Sequence, residues 1–147
     1  MKKLLASLLI LCMIPAVCFA RTTRDLKEAL FYELCATVGL PASQRTVRDG
    51  DTTYILFDHY AVASQFKDDE TIVHASLACD KALDFDFISY ALCMTYAFYG
   101  TEYQDTFLTA IMNFSNGEGE ATSSDGKLYI KLMRLETGEI LLYEIAR

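Results

Sequence analysis

Apolar side chains return every fourth position early in the chain: Leu26, Leu30, Leu34 and Val38, with Phe31 and Cys35 beside them. That spacing predicts an amphipathic helix over residues 24–38, with those side chains on its core-facing side. Thr22 and Thr23, ahead of Arg24-Asp25-Leu26, supply an N-cap and an acid in the first turn. Gly39-Leu40-Pro41 supplies the stop: glycine accepts the left-handed position after the helix, leucine packs back, and proline blocks continuation.

From Arg45 the period falls to two. Thr46-Val47-Arg48 and residues 52–57 flank Asp49-Gly50-Asp51, a hairpin signal. The β-rich run continues through residues 59–66. After the polar turn Lys67-Asp68-Asp69-Glu70, residues 71–79 form a further strand, which makes a three-strand meander. If that turn closes a regular hairpin, His74 faces Ala63 and His59 faces Ala78.

Residues 82–99 are the most apolar stretch after the N-terminal segment, with no charge between Phe87 and Tyr99. A helix apolar over most of its circumference is buried on several sides, so this is the expected central core helix. Asp84 and Asp86 suit its N-terminal dipole, and Gly100 breaks it. Thr101 with Gln104 resembles a capping box opening a short helix to about Phe114. Residues 115–126, rich in glycine and serine, read as a flexible surface loop. Residues 127–135 and 139–146 then form a hairpin around Glu136-Thr137-Gly138. The expected fold is α+β: one domain over residues 21–147, its antiparallel sheet packed by an N-terminal helix and a buried central helix.

The first 20 residues change the compartment. Lys2 and Lys3 precede the uncharged run Leu4 to Ile14, then Pro15 and Ala16-Val17-Cys18-Phe19-Ala20. Small residues stand at the positions a signal peptidase inspects, so the segment is expected to be a signal peptide cleaved after Ala20. The apolar run is too short to span a bilayer, which needs about 20 residues. The protein is therefore expected to be exported, periplasmic or extracellular, and the short Lys-Lys start has a bacterial look.

The full chain has 147 residues, 52% of them apolar and 22% charged, with a net charge of −7. Losing Lys2 and Lys3 takes the charge to −9 over the remaining 127 residues. Such acidity excludes nucleic-acid binding, because no basic patch can be assembled against phosphates. It makes a basic protein partner the natural complement. Cys35, Cys79 and Cys93 remain after cleavage. An odd count allows one internal bridge or none, and no C-x-x-C motif suggests redox or metal chemistry.

Catalytic signals are sparse. Asp58-His59 could orient an imidazole toward a serine or Cys79, yet neighbours on a strand point to opposite faces and G-x-S-x-G is absent. The two histidines are too far apart in the expected register to share a metal ion, and no cofactor motif occurs. The clusters Asp68/Asp69/Glu70 and Glu118/Glu120 fall in turns or loops and read as solvated charge. Asp49-Gly50-Asp51 and the Asn116–Glu120 segment do not complete a calcium loop.

The C-terminal hairpin is more suggestive. Pairing about Thr137 puts Leu128, Ile130, Leu132, Ile140 and Leu142 on the core side. The opposite side carries Tyr129, Lys131, Met133, Leu141, Tyr143 and Ile145, and it too is mostly apolar. Either another element covers this side or it awaits a partner. The leading expectation is a small exported acidic binding module without catalytic activity, an inhibitor or adaptor, using Tyr129, Lys131, Met133, Leu141 and Tyr143. The alternatives are a small-ligand carrier with an apolar pocket at Phe87, Tyr90 and Tyr96, or a small hydrolase using Asp58 and His59.

Overall fold

Thr22 opens helix α1 (Thr23–Thr37) with a reciprocal capping box: its hydroxyl accepts from the Asp25 amide, and the Asp25 carboxylate accepts from the Thr22 amide. At the other end Gly39, at φ +77°, turns the chain back so that the amides of Gly39 and Leu40 reach the carbonyls of Ala36 and Cys35. These two bonds are a Schellman closure. The structure is a computed structural model that describes residues 21–41, 45–117 and 119–147; the expected signal peptide lies outside the described residues.

The face of α1 that turns inward is not the leucine face. Arg24, Glu28, Phe31 and Cys35 are buried, whereas Leu26, Leu30 and Val38 are 53%, 40% and 58% exposed and Leu34 is only partly buried. The rotation has a polar cause. The Arg24 guanidinium donates to Glu28, to the Thr53 hydroxyl, to the Gly50 carbonyl and to Asp69, and Arg48 closes the far side through Glu28 and Asp25. A buried cation is tolerable only when its donors are satisfied, and here they are, by both hairpin turns at once.

Strands β1 (Arg45–Asp49), β2 (Thr52–Leu56), β3 (Tyr60–Lys67) and β4 (Thr71–Cys79) form an antiparallel meander of four strands. The expected meander had three, because the break at Phe57-Asp58-His59 falls inside a run that is β-rich on both sides. Helix α2 (Phe85–Phe98) follows, capped by the Asp84 carboxylate on the Phe87 amide at 2.8 Å. A 3₁₀ turn (Thr101–Tyr103) leads into α3 (Gln104–Ser115), without the side-chain cap that Thr101 and Gln104 suggested.

A short strand, β5 (Glu120–Thr122), lies within the segment expected to be a loop, and β6 (Leu128–Arg134) and β7 (Ile140–Ala146) complete the sheet. Its order is β1-β2-β3-β4-β7-β6-β5, all pairs antiparallel, so the C-terminal hairpin docks on β4 and the fold is α+β. Gly119 admits β5: its carbonyl accepts from the Leu132 amide at 2.6 Å, and a Cβ there would lie 2.1 Å from the Leu132 carbonyl oxygen.

The register puts every buried strand residue on one face. Ile55 pairs with Val62, Val62 with Leu77, Leu77 with Leu142, and Leu142 with Leu132. The helices pack there, with Phe98 against Phe31 and Phe66, and Tyr90 against Phe57 and Tyr60. Phe107 and Ala110 of α3 are also in this core.

Candidate binding face of the sheet

With α1, α2 and α3 on one side, no described helix covers the other side of the sheet. Met133 pairs with Leu141, Lys131 with Tyr143 and Tyr129 with Ile145, all half-buried side chains of this outer face. The five expected binding residues therefore stand together. Toward the middle of the sheet the face continues through His74, Ser76 and Ala78 on β4 and Ala61, Ala63 and Gln65 on β3. It reaches Tyr54 and Leu56 on β2.

The relief of this face follows from side-chain size. Ala61 pairs with Ala78 and Ala63 with Ser76, so the two central strands form a low floor. Tyr54 and Leu56 rise on one flank, Leu141 and Tyr143 on the other. Sequence reasoning missed this floor, although a small residue at every second position of Ala61-Val62-Ala63 and Ser76-Leu77-Ala78 was its signal.

Two cations at the hairpin end of the face have partners. Lys131 Nζ meets Glu120 at 2.9 Å, which raises the ammonium pKa and lowers that of the carboxylate. The Arg147 guanidinium lies 4.7 Å from the centre of the Tyr129 ring, a cation–π contact. His74 packs against Tyr143 with ring centres 5.0 Å apart, and partial burial lowers its pKa, which favours the neutral imidazole.

At the β5 edge an open groove of about 820 Å³ is lined by Phe114, Glu120, Lys131 and Met133, among others. Around the corner a second groove of about 570 Å³ runs between α3 and β5; Glu102, Asp105, Glu120 and Asp125 line it, and no Lys or Arg does. An apolar face thus borders an acidic rim.

The other candidates sit elsewhere. His59 Nδ1 lies 2.9 Å from Asp80, not Asp58, and both side chains of that pair are 56% exposed. The histidine register also differs from expectation: His74 faces Gln65, and Ala63 faces Ser76. Asp68 and Asp69 take left-handed backbone angles in the turn, and an extra residue, Val73, bulges between Ile72 and His74, which shifts every later pair.

Cys79 is buried, and that burial raises its thiol pKa, the wrong direction for a nucleophile. Among the described residues no hydrogen bond joins His59 to a serine, threonine or cysteine. Of the carrier residues, Phe87 and Tyr90 are buried core, and Tyr96 hydrogen-bonds Gln104 on the helical side. Tyr90 is packed by Phe57 and Tyr60, each ring centre 4.9 Å away.

Compared with known proteins, the chain matches no family model, no curated protein and no solved structure.

Proposed function

We propose that this protein is a small exported binding module whose outer sheet face captures a basic protein partner, in the manner of an inhibitor or adaptor. The observation that carries the reading is the one-sided packing: the three described α-helices lie on the core face, while Tyr129, Lys131, Met133, Leu141 and Tyr143 share a half-buried face that no described helix covers. Water-facing sides of antiparallel sheets are ordinarily polar. An apolar centre beside a polar rim is the anatomy of a protein interface.

Charge selects the kind of partner. The sequence pI is about 4.7, and the groove bordering the face has four acidic side chains and no basic ones among its lining residues. Such a rim steers a cationic protein to the face and fixes its orientation, while the apolar floor supplies the buried contact.

A photoreactive phenylalanine derivative at Tyr129 or at Met133, with a third placed at Leu108 on α3 as control, tests this in extracytoplasmic extract. The reading expects one basic protein, identified by mass spectrometry, joined from the sheet positions only, lost at high salt, and lost already near physiological salt when Met133→Glu accompanies the Tyr129 probe. Cross-links from Leu108 alone, to a second copy of the chain, or to nothing would count against it.

A further inference from the structure

The geometry points to a disulfide site: Cys35 of α1 and Cys93 of α2 close to an intrachain bridge, and Cys79 stays a free thiol. All three are buried thiols in the structure. Cys35 ends the inward stripe of α1, Cys93 lies on the buried side of α2, and these helices pack directly on each other. Phe31, one turn before Cys35, stacks on Phe98, and Tyr90, three residues before Cys93, donates to the Pro41 carbonyl, so the helices run antiparallel and bring Cys35 opposite Cys93. Two buried cysteines facing each other across packed helices have the placement that a bridge requires.

Cys79 has different neighbours. Its Sγ donates to the Lys81 carbonyl and accepts from the Lys81 amide, both at 3.4 Å, at the end of β4. The sequence allows any pairing among these three cysteines; the helix packing selects one.

The bridge forms by thiol–disulfide exchange. Contact with Cys93, together with burial, raises the Cys35 thiol pKa, whereas contact with Cys35 lowers that of Cys93. The oxidant is a disulfide, such as oxidised glutathione or the active-site disulfide of a thiol oxidase. Cys93 attacks one oxidant sulfur, and one oxidant thiolate departs. Cys35 then gives its proton to solvent and attacks the Cys93 sulfur, expelling the second thiolate. One S–S bond breaks in the oxidant and one forms in the protein; the two electrons removed leave as two oxidant thiols.

The export reading supplies only the compartment, so the chemistry is tested apart from it. The full chain is reduced, unfolded, refolded in a buffer rich in oxidised glutathione so that burial does not limit access, then alkylated and digested with trypsin without reduction. Cys35, Cys79 and Cys93 each fall in their own tryptic peptide, 28–45, 68–81 and 82–127, and Cys12 and Cys18 share a fourth, 4–21. The expected product joins 28–45 to 82–127 and leaves Cys79 alkylated. Because the bridge closes a long loop, its melting temperature should exceed that of the reduced protein by about 10 °C.

Cys79→Ala keeps the bridge and the shift; Cys93→Ala loses both and returns Cys35 alkylated. Cys35 bridged to any other peptide, or both thiols alkylated despite excess oxidant, overturns the proposal, and the Cys79→Ala map decides it even if Cys93→Ala does not fold. The same map on protein recovered from bacterial periplasm should show the bridge. A bridge formed on refolding but absent there would uphold the site and count against the export reading.

Discussion

The hydroxyl of Thr95 on α2 donates to Oε1 of Glu144 on β7 at 2.5 Å, deep in the core between helix and sheet. The other carboxyl oxygen of Glu144 has no partner. Burial pushes the Glu144 pKa up to about 8, with the Thr95 hydrogen bond opposing only part of that rise. The native protein therefore holds a neutral acid at neutral pH, where the unfolded chain holds a carboxylate.

The pH dependence of stability follows in sign. Below the unfolded value near 4.5 both states are protonated and Glu144 contributes no slope. Between there and about 8 the unfolded chain releases a proton that the native chain keeps, so stability falls as pH rises, by up to ~1.4 kcal/mol per pH unit. Above about 8 the loss levels off. Glu144→Gln keeps an acceptor for Thr95 and removes the titration. Urea denaturation should find the variant within ~1 kcal/mol of the parent near pH 5 and more stable by a few kcal/mol near pH 8.5. Parallel profiles for the two proteins would mean Glu144 is ionised in the fold.

A second prediction concerns the Arg24 clamp. Arg24 is 3% exposed and ties α1 to the Gly50 turn and, through Asp69, to the β3–β4 turn. Arg24→Met should cost ~3–5 kcal/mol, because it leaves Glu28 buried with Arg48 as its remaining cation. Changing Glu28 to leucine as well should restore a large part of that loss, since a buried ion pair replaced whole costs far less than one broken in half. A double variant no more stable than the single one would show that the clamp's backbone contacts, not its charge balance, carry the stability.

The same clamp separates what the sequence disclosed from what it did not. The existence and bounds of α1 were legible, because the threonine cap, the four-residue period and the glycine stop agree. Its rotation was not. A hydrophobic count favours the Leu26–Val38 stripe, whereas the buried stripe begins with Arg24 and Glu28; the Arg24 partners Thr53, Gly50 and Asp69 and the Glu28 partner Arg48 are distant in sequence. Likewise β5 was hidden because Gly119, a loop signal, is the residue that lets Leu132 approach. The binding face was half legible: the hairpin's alternation assigned Tyr129, Met133 and Tyr143 to one side, but only the sheet order brought Ala61, Ala63 and Ser76 beside them.

The rotation of α1 is directly testable. Leu26→Lys and Leu30→Lys should each change stability by no more than ~0.5 kcal/mol, as substitutions at exposed sites usually do. Phe31→Ala, which empties a site against Phe57 and Phe98, should cost ~3–5 kcal/mol. If the leucine variants prove the more damaging, the helix is rotated toward the face its periodicity suggested.

The outer face gives the last prediction. Met133 pairs with Leu141 and lines the open groove at the β5 edge, so a carboxylate there meets solvent rather than core. Met133→Glu should therefore leave the melting temperature within a few degrees of the parent. It also places a second acid close to Glu120, so the Lys131–Glu120 pair is shared and the apolar centre is broken. Binding of a basic partner through the acidic rim alone should survive at low salt in weakened form and vanish near physiological salt, because rim contacts are screened over about 8 Å. The discriminating companion is Ala63→Glu, on the low floor two strands from β7. If the partner spans the whole face, that substitution weakens capture as much as Met133→Glu; if it is confined to the C-terminal hairpin, Ala63→Glu is silent. Unfolding by Met133→Glu would instead show that this side of the hairpin is covered core, and the binding proposal would lose its surface.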